Sequence, residues 1–133
     1  MAKYVYPAIF SPSEDGGFTV SFPDVSGCYT EGDTLAEAIE QAKDALCLML
    51  YDLEEREESI PVPTSINDVV TENGDIVSLV ACDTLEYRKF FDKKAVKKTL
   101  TIPVWLDMLA KEKNVNYSAI LVKGLKKELG IPD

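Results

Sequence analysis

Phe22-Pro23-Asp24-Val25-Ser26-Gly27-Cys28-Tyr29-Thr30-Glu31-Gly32-Asp33-Thr34-Leu35-Ala36-Glu37-Ala38 is the stretch on which the reading of this chain turns. Turn formers at Ser26-Gly27 and Gly32-Asp33 bracket a short strand over Cys28–Glu31. Thr34 can then cap a helix, and Glu37, three residues on, is spaced to reach back and complete a capping box. Leu35, Ala38, Ile39, Ala42, Leu46, Met49, Leu50 and Leu53 recur at three- and four-residue steps, which gives that helix one apolar stripe and turns its acidic residues toward water.

Upstream, Tyr4–Phe10 reads as a strand, and Ser11–Gly17 is dense in turn formers. Phe18, Val20 and Phe22 alternate with Thr19 and Ser21, a period of two that makes a second strand and closes a hairpin before Pro23. Downstream, Glu54–Glu58 frays the helix end, and Pro61 and Pro63 impose an extended loop. Ile76–Cys82 is apolar apart from Ser78 and predicts a central, buried strand. The fold class is α+β, with a β-β-β-α-β domain over residues 1–83.

Residues 84–95 lack an apolar period and read as a linker, with at most a helical turn at Tyr87–Phe91. Within 96–133, Lys97–Ile102 alternates as a strand does, and Pro103 occupies a first helical position ahead of Trp105, Leu106, Leu109 and Ala110. Asn114-Val115-Asn116 breaks that helix. Asn116 caps a second one bearing Ile120, Leu121, Gly124, Leu125 and Leu129, which ends at Gly130 and Pro132. One strand and two helices bury too little area to stand alone, and a lone strand leaves its ladder groups unpaired. A two-fold dimer answers both needs, with strand paired to strand and Leu106, Leu109, Ile120, Leu121 and Leu125 of the four helices in a shared core.

The 133 residues are 46% hydrophobic and 28% charged, enough apolar matter for a core in one or two small domains. There is no histidine, which excludes Ser/His/Asp and Cys/His nucleophilic sites and imidazole bases. The net charge of -9 is unevenly spread: Met1–Tyr87 has 3 Lys plus Arg against 18 Asp plus Glu, whereas Arg88–Asp133 has 11 against 5. Halves of −15 and +6 call for a basic partner on one side and an acidic one on the other. Cys28, Cys47 and Cys82 show no ligand spacing and read as reduced, buried thiols. No signal peptide and no long apolar run is present, so a cytoplasmic protein without cofactor or membrane partner is expected.

Lys97-Lys98-Thr99-Leu100-Thr101-Ile102-Pro103 followed by two helices resembles the ribbon-helix-helix repressors. The resemblance implies that Lys97, Thr99 and Thr101 face outward to read bases in the major groove, as their ammonium, hydroxyl and methyl groups suit, while Leu100 and Ile102 point inward to the dimer core. Asn116, Tyr117 and Ser118 at the second helix start would hold a phosphate, with Lys93 and Lys94 as further backbone contacts. A plain edge strand kept soluble by Lys and Thr is the alternative. The stretch from Phe22 to Ala38, with Ile60-Pro61-Val62-Pro63 after it, resembles the signature of HicB antitoxins, some of which carry a ribbon-helix-helix C-terminus.

That second resemblance implies a partial RNase H-like N-terminal domain that binds HicA, a small mRNA-cleaving toxin with a catalytic histidine. It further implies a non-enzymatic antitoxin that masks the toxin's active site and, as a homodimer, represses its own operon at operator DNA. Asp24, Tyr29, Glu31 and Asp33 lie where side chains could reach the toxin, though turn residues of this kind are equally served by water. Two other classes stay open, a metal-dependent ribonuclease using N-terminal carboxylates and a repressor with an acidic sensor domain. Pairing of dimers into a higher oligomer is open as well.

Overall fold

A computed structural model describes residues 3–132. The chain divides into two compact units, Met1–Lys94 and Ala95–Asp133. The first contains β1 (Lys3–Pro12), β2 (Phe18–Ser21), β3 (Tyr29–Gly32), α1 (Leu35–Glu55), a 3₁₀ turn (Ile66–Asp68), β4 (Ile76–Asp83) and α2 (Thr84–Phe91). The strands form one antiparallel sheet in the order β3-β2-β1-β4.

Strand periodicity decides which side of the sheet is covered. Tyr6, Ala8 and Phe10 of β1 share a face with Val20 of β2 and Val80 and Cys82 of β4, because Phe10 pairs with Val20, Tyr6 with Val80 and Tyr4 with Cys82. Ala38, Ala42, Leu46, Cys47 and Leu50 of α1 complete that core. The stripe is narrower than the spacing predicted, since Leu35 and Ile39 lie exposed. Thr34 caps α1 as expected, its hydroxyl accepting from Glu37 N at 3.1 Å.

β4 corrects the expectation of a central strand: it is an edge, and β1 lies between it and β2. Only one face of the sheet carries a helix, so outward-pointing Leu79, opposite Pro7, is 54% exposed while Val80 is buried. A run that is apolar apart from Ser78 therefore did not require burial on both faces. Gly32 is also more than a turn residue. A Cβ there would lie 2.4 Å from Ala38 N and 2.7 Å from Ala38 Cα, so α1 rests its first turn directly on the end of β3.

Residues 84–91 of the stretch read as a linker form the second helix of this unit. Asp83 caps α2, its carboxylate accepting from Leu85 N at 3.0 Å and Glu86 N at 3.3 Å, and Thr84 is fully buried. Its weak apolar period hid it, because polar and aromatic contacts hold it on α1. With the boundary at Lys94, the first unit has 7 Lys plus Arg against 19 Asp plus Glu, or −12, and the second has 7 against 4, or +3.

The second unit contains α3 (Val104–Glu112) and α4 (Tyr117–Glu128). Pro103 is the N-cap of α3 and not its first residue, so the helix starts one residue later than predicted, with the Pro103 carbonyl accepting from Asp107 N at 3.1 Å. Asn114 adopts φ 52° and ends α3, and Asn116 caps α4 through its side-chain oxygen, which accepts from Ala119 N at 3.0 Å. The predicted strand over Lys97–Ile102 is not formed: residues 92–103 carry no regular structure. A strand exists through hydrogen bonds to a neighbour, and one copy of this unit offers none.

Candidate functional site

Three groups of residues bear on function, and they lie in different parts of the fold. In the signature segment, both Asp24 oxygens are occupied, accepting from Thr64 N at 2.9 Å and Thr64 Oγ1 at 2.5 Å. Asp24 thus ties the proline-bearing loop to the turn after β2. Tyr29 and Glu31 pair with Ser21 and Thr19 at the β3 edge, both exposed on the face opposite α1. Asp33 is exposed in the bend before the helix.

In the second unit, Lys97, Thr99 and Thr101 are exposed in the irregular segment. The seven residues assigned to a dimer core are exposed as well, Leu100 at 63% and Ile120 at 57%. The three positions at the start of α4 have distinct surroundings. Asn116 spends its carboxamide oxygen on the cap. Tyr117 donates its hydroxyl to Asp107 at 2.5 Å, and Lys111 lies 3.1 Å from the same carboxylate. Ser118 lines a shallow groove of about 490 Å³ with Lys123 and Lys126. Those two lysines were missed, although their spacing from Ser118 and Ala119 on one helical face was readable. Lys93 and Lys94 belong to the first unit, where Lys93 Nζ donates to Lys89 O at 2.9 Å.

The third group surrounds Glu54, which sequence reading had left on a fraying, solvated helix end. Its carboxylate accepts from Tyr4 Oη at 2.8 Å, Thr84 Oγ1 at 2.9 Å and an Arg88 guanidinium nitrogen at 3.0 Å. Arg88 also bonds Glu55 and lies over the Tyr51 ring, 4.6 Å from its centroid. Burial opposes ionisation of Glu54, but the hydrogen bonds that converge on it outweigh burial and hold its carboxyl at about 2. Burial, reinforced by the bond to Glu54, pushes the Tyr4 phenol up to about 12. These contacts join residues 30 or more positions apart, which no periodicity reveals.

The lowered carboxyl sets a pH dependence. Between about 2 and 4.5 the folded chain binds fewer protons at Glu54 than the unfolded chain, so stability is full above 4.5 and lost as pH falls toward 2. Thermal melts across this window should show a loss on the order of 2 kcal/mol attributable to this group. In Glu54→Gln the starting stability should be lower and the slope between pH 4.5 and 2 shallower; an unchanged slope would contradict the assignment.

Among the described residues no three His, Cys, Asp or Glu side chains converge to hold a metal ion. Cys28, Cys47 and Cys82 are free and buried. Among the described residues no helix is long and apolar enough to cross a membrane.

Residues 6–124 match the family model described as HicB-like antitoxin of bacterial toxin-antitoxin system. Antitoxin HicB 1 of Photorhabdus laumondii is 38% identical over 89 residues, 67% of this chain and 56% of that protein. Antitoxin HicB of Escherichia coli K12 is 44% identical over 62 residues, 47% of this chain and 45% of that protein. The matches thus span about half the length of these two relatives. A chain of a toxin-antitoxin complex from Streptococcus pneumoniae superimposes with a TM-score of 0.60 at 29% identity, covering 95% of this chain and 99% of that one.

Proposed function

Since the chain belongs to the family of HicB-like antitoxins of bacterial toxin-antitoxin systems, we propose that it neutralises a HicA-type mRNA-cleaving toxin and represses its own operon. One observation carries this reading: the chain is built as an acidic unit of −12 with its own core and a basic unit of +3 whose apolar side chains lie open.

The acidic unit suits occlusion. A protein that cleaves RNA must gather phosphates on a basic face, and a folded domain of opposite charge can sit there without being cut. No catalysis and no cofactor are required of it. We read its β-β-β-α-β core as the partial RNase H-like arrangement of the family, serving as a rigid shield.

The basic unit suits DNA. Two copies joined about a two-fold axis would pair Lys97–Ile102 antiparallel, closing the ladder that one copy leaves open, and enclose Leu100, Ile102, Leu106, Leu109, Ile120, Leu121 and Leu125 as a ribbon-helix-helix core. Lys97, Thr99 and Thr101 then face the major groove. Backbone N–H groups of Tyr117 and Ser118, with Lys123 and Lys126 beside them, approach a phosphate.

Binding to operator fragments by fluorescence anisotropy tests the DNA arm. Affinity should fall with added salt, by about tenfold or more for each fourfold rise if two or more phosphates are contacted per dimer. Changing Lys97, Thr99 and Thr101 to Ala should erase the preference for operator over random DNA while leaving toxin neutralisation in a growth assay intact. Loss of both functions together, or a flat salt response, would overturn the modular reading.

A further inference from the structure

We propose that the outer face of α1 and α2, centred on Phe91, is the surface by which the acidic unit grips a basic protein partner; this rests on the antitoxin reading, with the RNA-binding face of the toxin as that partner. Four rings follow one another across the two helices: Tyr51 to Tyr87 at 5.4 Å between centroids, Tyr87 to Phe91 at 4.6 Å, and Phe91 to Phe90 at 4.8 Å. The inner rings pack into the unit, but Phe90 is 71% and Phe91 61% exposed. Two aromatic side chains side by side in water are what interface centres are made of, since covering them recovers large apolar area at little cost in side-chain freedom.

Grooves flank the pair on either side. One, of about 540 Å³, runs toward the end of β4; the other, of about 350 Å³, includes exposed Leu48 of α1. Asp44, Tyr87 and Phe91 line both. Glu37, Glu40 and Asp44 stand along the outer side of α1, and none of the three is in an ion pair among the described residues. Lys3 and Lys43 share the first groove with Asp44, Asp83 and Glu86, whereas the second is lined by Asp44 with no cation, so over the second a partner's cation meets a carboxylate without a competing lysine.

The rings already attract cations of this chain. Arg88 lies over Tyr51, and Lys93 Nζ is 5.9 Å from the Phe90 centroid. An arginine or lysine of a partner set against Phe91 would meet the ring face and the Asp44 carboxylate together, a pairing that selects a basic surface over a neutral one. Tyr29 and Glu31, the readable candidates in the signature, lie on the other face of the sheet and serve as the comparison.

Titration of the full chain with a catalytically inactive HicA-type toxin from the same operon, by calorimetry and sedimentation, decides the matter. Phe90→Ser with Phe91→Ser should weaken binding by about 30-fold or more, the scale of an interface centre. Asp44→Lys, a surface change that leaves the core untouched, should weaken it by about tenfold or more, most at low salt. Tyr29→Ala with Glu31→Ala should stay within about threefold of wild type. Wild-type binding with unaffected Phe90, Phe91 and Asp44 variants would overturn this surface and leave the antitoxin reading standing. So would a change of sedimenting species in the aromatic variants without toxin, which would mean that a second copy covers the face. No binding by the wild type would overturn the antitoxin reading, and this surface with it.

Discussion

A chain carrying Leu106→Glu and Leu121→Glu should sediment as a monomer, lose most of the helical signal of residues 104–128 and fail to bind operator DNA, while its N-terminal unit melts as before. None of the α3 or α4 residues is buried within one copy. A helix pair of 9 and 12 residues has little intrinsic stability in water and owes its order to covered apolar faces. Fully burying a leucine contributes about 1.5–3 kcal/mol, so four substituted sites in a dimer remove on the order of 6–12 kcal/mol before the cost of burying charge is counted. That is comparable to the whole stability of a small domain. Analytical ultracentrifugation and circular dichroism read the result, and a dimer that survives the double substitution would place the contact elsewhere.

Gly32→Ala should destabilise the N-terminal unit by about 3 kcal/mol, near the upper end of what overpacking usually costs. The added methyl carbon would lie within 3 Å of three backbone atoms, Ala38 N, Ala38 Cα and Glu37 C, none of which can rotate aside as a side chain end could. Relief requires α1 to lift from β3, and α1 supplies five of the buried core residues. Gly16→Ala is the contrast: it has φ +89° but nothing within 4 Å, so only backbone strain of about 1 kcal/mol applies. Urea unfolding of the two variants should separate them by about 2 kcal/mol, and equal losses would remove the steric argument.

These contrasts show where sequence reading succeeds. Thr34 capping Glu37 N, the Phe18–Val20 alternation, Asn116 capping Ala119 N and the stop at Gly130 are local, each set within a few residues by hydrogen bonding or sterics. The same holds for the signature from Phe22 to Ala38, whose turns and helix start identify the family without reference to distant parts. Asp24 shows the limit. Its place in the signature was readable, but its bond to Thr64, 40 residues away, was not, and that bond gives it a structural role.

The sequence by itself determined the hairpin, the long capped helix, the two C-terminal helices and the segregation of charge, because spacing and composition dictate them locally. Tertiary structure decided that β4 is an edge, that residues 84–91 form a helix of the acidic unit and that Glu54 is bound by Tyr4, Thr84 and Arg88. Those outcomes depend on which surfaces meet across 30 or more residues, where the free energy of pairing overrides local preference. The segment from Lys97 to Ile102 carries the pattern of a strand, yet its ladder needs hydrogen-bonding groups that a single copy does not supply.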